Sequence, residues 1–193
     1  MIKKVLPLLF ILILSLGCLS LKEAYVPAEL LKDGWYEDVG SEERGSAFLG
    51  IQKWSTKVYR KGDVSYLSVT SLKFIIMQSR SNLIGKVEED IKEQAERYGI
   101  VLDDESKISG ERETFKGHKT SFVIYNGTKG ESTYRIIGEV WSCSKSGISV
   151  ICMGFSNIDE VDGIQGWRQM VADPYGSIDG IKGEGLIYKV VCH

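Results

Sequence analysis

Two histidines, four cysteines and a scatter of acids beside glycines are the residues from which this 193-residue chain could build catalysis or metal binding. His118 lies in "GHKT", residues 117 to 120, which ends like a phosphate-binding loop. No glycine stands at the spacing that cradles phosphate, however, the histidine takes the lysine's place, and a strand pattern follows where a helix is required. A surface turn is the plainer reading. His193 is the final residue given, a poor place to hold a base still. "SCSK", Ser142 to Lys145, has the serine-to-lysine spacing of penicillin-binding enzymes, but that chemistry needs both side chains on one helical turn and these residues run into a hairpin. No catalytic residue follows from any motif. A small surface hydrolase using Cys143 or His118, assembled across the fold, stays open as the alternative to a binding protein.

The acids read the same way. "NIDEVDG", residues 157 to 163, and "DPYGSIDG", residues 173 to 180, place carboxylates beside glycines. A calcium loop needs oxygen ligands at its first, third and fifth positions before the glycine, and a glutamate at its twelfth. With Gly163 as that glycine the first and twelfth positions are Ile158 and Gln169; with Gly180 they are Tyr175 and Leu186. Both frames fail, which leaves Asp159, Asp162 and Asp179 as caps and turn formers first and calcium ligands second. No cysteine pair has zinc spacing, so neither a metal nor a cofactor is expected. "NGT", Asn126 to Thr128, reads as a turn and is also an acceptor sequence for N-glycosylation.

The fourth cysteine belongs to a different chemistry. Lys3 and Lys4 followed by the apolar run Val5 to Gly17 have the order of a signal peptide, and thirteen residues fall short of the roughly 20 that span a bilayer. Ser15 and Gly17 place small side chains before Cys18. A cysteine directly after such a site resembles the lipobox of prokaryotic lipoproteins; with Leu14 one place early, the looser archaeal type is the nearer comparison. The resemblance implies a signal peptide over residues 1 to 17, a diacylglyceryl group on Cys18, and a protein held by its lipid on the extracytoplasmic face of the cell membrane. Residues 18 to 33 then form the lipidated N-terminus, tether and a short helix after Pro27, ahead of a single domain over residues 34 to 193. The tether, Leu19 to Val26, reaches at most about 29 Å.

Composition limits the partners. The net charge of −2 becomes −4 once Lys3 and Lys4 leave with the leader. A mildly acidic domain without a basic run has no footprint for nucleic acid, and its overall charge gives it no attraction to anionic lipid. The membrane contact is expected to be the anchor, and the working partner a protein or small ligand in the envelope.

With Cys18 consumed by lipid, at most one disulfide can form from Cys143, Cys152 and Cys192. If "SKSG", residues 144 to 147, is a hairpin loop, Cys143 faces Ile148 and Cys152 lies about 13 Å along the strand, beyond the roughly 7 Å limit for a bridge. Cys152 with Cys192 is the preferred pair and Cys143 with Cys192 the second. Three buried thiols are the competing reading.

The elements that must position these residues follow from periodicity. Residues 47 to 60 and 64 to 76 read as strands around the turn "KGD", residues 61 to 63. Leu83, Ile84, Val87, Ile91, Ala95 and Tyr98 form one helical stripe, with Ser81 or Asn82 as cap and Gly99 as stop. Strands over 107 to 115 and 118 to 125, and over 132 to 143 and 148 to 156, pair as two further hairpins. A short helix is expected near 167 to 172, and a last strand over 185 to 191. Phe122 with Ile124 and Val123 with Tyr125 ask for burial on opposite faces of one strand, as do Ile136 with Val140 and Ile137 with Trp141. The expected class is therefore α+β: a largely antiparallel sheet covered by helices on both faces.

This order, with "LIGKVEEDIKEQAERYG", "SGERETFKGHKT", "STYRIIGEVWSC" and "ISVICMGFSN", resembles the PsbP-like fold over roughly residues 34 to 156. The resemblance implies a domain that binds partners and does not catalyse. The glycine-dense residues 162 to 185, with Trp167, Tyr175, Trp35 and Tyr36, are either a folded-back loop with buried aromatics or a partner-binding rim.

Overall fold

The two-sided apolar pattern of residues 121 to 141 is satisfied by burying both faces of one sheet. The computed structural model describes residues 20–48, 51–74 and 78–193. Eight antiparallel strands are present among them: β1 (Trp35–Glu37), β2 (Glu43–Ala47), β3 (Gln52–Lys61), β4 (Ser65–Lys73), β5 (Val101–Glu113), β6 (Lys119–Lys129), β7 (Ser132–Cys143) and β8 (Ile148–Asn157). They lie in the order β1-β3-β4-β8-β7-β6-β5, and β2 pairs with the stretch of β3 that β1 leaves open.

On one face rests α1 (Arg80–Tyr98). Ser79 caps it by accepting from the Asn82 amide at 3.3 Å, and Gly99 ends it in the left-handed region, where a side chain would be strained. Leu83, Val87, Ile91 and Ala95 are its buried stripe, and the first three pack with Val123, Tyr125, Ile136 and Val140. Gly138 permits this approach, because a Cβ there would collide with Val87 Cγ1. Phe122, Ile124, Ile137 and Trp141 point to the opposite core.

That opposite face overturns the expected class. It is not closed by a layer of helices: α2 (Val161–Val171) contributes Trp167, Met170 and Val171, and the rest comes from irregular chain, including Ala24, Val26, Ile178, Leu186, Ile187 and Val190. The molecule is one large antiparallel sheet with two α-helices among the described residues, and not a sandwich covered by helices on both faces. The physical reason lies after α2, where Gly176, Gly180 and Gly183 take positive φ and a helix cannot continue. The expected strand over 185 to 191 is also absent. The amides of Gly185, Leu186 and Ile187 instead donate to the carbonyls of Ala172, Gln169 and Met170, satisfying the C-terminal end of α2, and only Val191 pairs, with Tyr25. After Pro27 the short helix is one 3-10 turn, Ala28–Leu30.

A buried ionic group ties this irregular layer to the sheet. Arg112 on β5 reaches Glu139 on β7 through Nε at 2.9 Å and Nη2 at 2.5 Å, and Asp173 through Nη1 at 3.0 Å. Thr120 Oγ1 donates to Glu139, and the amides of Tyr175 and Ser177 donate to Asp173. All three charged side chains are buried. Every charged atom of the three has at least one partner, with Arg112 Nη1 also donating to the Val171 carbonyl, which is the condition for tolerating charge in a core.

Register also sorts the turns. β3 starts and β4 ends beside each other, β8 starts and β7 ends beside each other, and β5 ends against the start of β6. Residues 114–118 and 144–147, with Phe48 and Ile51 between β2 and β3, therefore share one end of the sheet. The turns at 62–64 and 130–131 and the exit from β8 occupy the other.

Candidate metal centre

Four side chains distant in sequence meet at the first of these ends. His118 closes the turn between β5 and β6, Cys143 is the last residue of β7, and Cys192 and His193 follow the Tyr25–Val191 bridge. Their ligand atoms all lie within 4.8 Å of one another. Cys192 Sγ is 3.3 Å from His118 Nε2 and 3.7 Å from His193 Nδ1, and Cys143 Sγ is 3.4 Å from His193 Nδ1. A tetrahedral ion with metal–sulfur bonds of about 2.3 Å and metal–nitrogen bonds of about 2.05 Å has a sulfur–nitrogen edge of about 3.6 Å. The three contacts bracket that edge.

Local chemistry holds each ligand in place. The Thr114 amide donates to the His118 carbonyl and the His118 amide to Thr114 Oγ1, a tight turn that Gly117 completes at positive φ. At Cys143 the chain turns through Gly147, whose amide donates to the Cys143 carbonyl at 2.9 Å. Burial alone would raise the Cys143 thiol. The hydroxyl and amide of Ser146, the Cys192 thiol and the Lys145 amide outweigh it and hold Cys143 below its usual value. Burial, and then the neighbouring Cys143, push Cys192 up to about 12, against the opposing pull of the Trp141 indole N–H. Burial, His193 and Lys145 lower His118, which keeps the imidazole neutral and its lone pair available at neutral pH.

The donors around the sulfurs point to thiolates. Trp141 Nε1 and Ser146 Oγ are buried near the sulfurs of Cys192 and Cys143 and influence them, yet neither makes a well-aligned hydrogen bond to any described residue. A dication between the sulfurs would deprotonate both thiols and give each orphaned donor an anionic acceptor. Two cysteine sulfurs and two imidazole nitrogens within reach of one point form a donor set that suits zinc among the divalent ions.

Sequence spacing could not show this set. Cys192 and His118 are 74 positions apart and Cys143 and His193 are 50, so the spacings by which zinc motifs are recognised do not exist here. The one usable signal was that both histidines and two of the cysteines fall at strand ends or turns. Cys143 does face Ile148 across the ladder, and Cys152 lies opposite Glu139. All three described cysteines are free thiols, and the cysteine placed in the cluster with Cys192 is Cys143 and not Cys152. Burial, and then Glu139, push Cys152 well above its usual value, so it is inert. Cys18 lies outside the described residues.

The other candidates are dispersed. Trp35 and Trp167 are buried, their indoles donating to Gln169 at 2.9 Å and Asp179 at 3.3 Å, so only Tyr36 and Tyr175 of the expected rim stand exposed. Asp159 accepts from the Thr133 amide, Asp179 pairs with Arg135, and Asp162 sits in the first turn of α2. Asn126 lies within β6 and not in a turn. A groove of about 390 Å³ opens beside α1, with Thr56, Thr70, Tyr66, Tyr98 and Asp90 in its walls, and includes none of the four clustered residues. No family model, curated protein or solved structure matches the chain, so the reading of this centre rests on its own geometry.

Proposed function

We propose that the chain is a lipid-anchored accessory module on the extracytoplasmic face of the cell membrane that binds one zinc-class ion through His118, Cys143, Cys192 and His193. The convergence of four ligand atoms within 4.8 Å carries the metal reading. The signal-like leader and Cys18 support the anchor. With all four positions of a tetrahedron supplied by protein, the ion has a structural or cargo role and no open position for substrate. A hydrolase built on the Cys143–His193 contact is disfavoured, because Cys143 is 0% and Cys192 2% exposed and a substrate carbonyl has no route to either sulfur.

Titration of the reduced chain with cobalt is expected to give one equivalent with the intense visible bands of tetrahedral thiolate coordination, displaced by zinc. Cys143→Ser and Cys192→Ser should each abolish those bands. Binding that survives both substitutions would overturn the assignment. The anchor is checked separately by intact mass, where Cys18 should be the modified first residue and an unmodified Cys18 would remove it.

A further inference from the structure

We infer that the end of the sheet carrying the metal centre is a docking surface for anionic phospholipid, on which the domain lies down beside its own anchor. The inference rests on the anchor reading for its geometry, but it is carried by separate observations.

The first is where the described chain begins. Ser20 is two residues from Cys18, and its carbonyl accepts from Lys73 Nζ at 2.9 Å, at the last residue of β4. From there the chain runs onto the sheet, with the Ala24 amide donating to Ser71 Oγ and Tyr25 bridging to Val191. The eight-residue tether expected from sequence is thus mostly part of the fold. Two residues span at most about 7 Å, so a lipid on Cys18 places the bilayer against this end of the sheet and no other.

The second is what that end displays. Phe48 is 74% exposed, Phe115 51% and Ile51 50%, all on turns at this end. Lys116, Lys119 and Lys145 are exposed on the same turns and strand ends, where the exposed acids are Glu113 and Glu111, the latter paired with Arg80, and Glu184 beside Lys189. Lys189 Nζ lies 3.7 Å and Lys116 Nζ 5.5 Å from the Phe115 ring centroid, and Lys189 is also paired with Glu184 at 2.8 Å. Apolar side chains ringed by lysine are the composition that inserts at an anionic interface.

The third is the contrast with the far end, where Asp63, Glu131, Asp159 and Glu160 are exposed against Lys129. The negative net charge conceals this polarity. A negatively charged surface would attract one end and repel the other, fixing the same orientation that the tether imposes. His118 and Lys116 share a turn, and so ion binding would brace the surface that meets the lipid.

Hydrogen exchange of the full anchored chain, in vesicles of phosphatidylcholine alone or with phosphatidylglycerol, tests this. Residues 114–118 and 144–147 are expected to gain more protection in the anionic vesicles than in phosphatidylcholine alone and to lose that difference in high salt, while residues 62–64 and 130–131 do not change. Lys116→Gln with Lys119→Gln should weaken partition to anionic vesicles about 25-fold, at roughly fivefold per lysine. Phe115→Ser is a second probe with no charge change, and melting of each variant in detergent monitors its fold. Equal protection in both vesicle types, or protection at the far end, would overturn the inference. Should intact mass show Cys18 unmodified, co-sedimentation of the full chain with anionic vesicles at low salt still decides the docking surface separately from the anchor.

Discussion

Arg112→Met is expected to destabilise the protein by about 3–5 kcal/mol, the range for removing one partner of a buried charge network. Met fills similar space, so little of this is cavity. The loss comes from leaving Glu139 without its two-point partner and Asp173 with only amide and hydroxyl donors. Urea unfolding with the slope unchanged measures it. The same network predicts acid sensitivity. Burial would raise Asp173, but Arg112 and the amides of Ser177 and Tyr175 outweigh it and hold the carboxyl below its unfolded value. Its contribution is therefore fully present above the ordinary carboxylate range and is lost as pH falls through the lowered folded value. In Arg112→Met this acid dependence should shrink, because the main source of the lowering is gone. A variant as stable as the parent would show that the irregular layer is held by its apolar contacts alone.

Removing the ion is expected to have the second largest effect. An ion present at about 100 times its dissociation constant stabilises the folded state by about 2.7 kcal/mol. For a domain of this size that corresponds to about 5–11 °C in Tm. Calorimetry with and without a chelator should show the shift in the parent and none in the Cys143→Ser, Cys192→Ser double variant. Because protons compete for thiolates and imidazoles, the chelator-free advantage must decline as pH is lowered. An identical Tm with and without chelator, in protein shown to hold the ion, would mean that the centre does not brace the fold. The segments it would brace are identifiable: the turn at 114–118, the end of β7 and the chain after Val191, which pairs with Tyr25 through an isolated bridge outside the strands.

Much of the scaffold is written locally. The turn at 61 to 63, the helix ending at Gly99 and the hairpins around residues 116 to 117 and 144 to 147 depend on glycine chemistry and periodicity within short windows, and they stand where periodicity placed them. So does the demand for two buried faces, because alternation in β6 and β7 specifies burial without specifying what provides it. What provides it was not legible. A helix stripe announces itself at residues 83 to 95, whereas Ile178, Leu186, Ile187 and Val190 carry no period: the amides of Leu186 and Ile187 are fixed by the carbonyls of Gln169 and Met170, and Ser177, next to Ile178, is fixed by Asp173.

The candidate metal centre lies wholly on the far side of that boundary. Local sequence settles that His118 is in a turn and that Cys143 ends a strand. Whether His118, Cys143, Cys192 and His193 share a point in space depends on the pairing of β5 with β6, β6 with β7 and Tyr25 with Val191 at once. The ends of the sheet are likewise equal in the sequence until strand polarity sorts the lysine-bearing turns from the acidic ones. Side-chain period and turn chemistry act over a few residues and can be read along the chain; convergence and surface charge are sums over strands that only the completed sheet brings side by side.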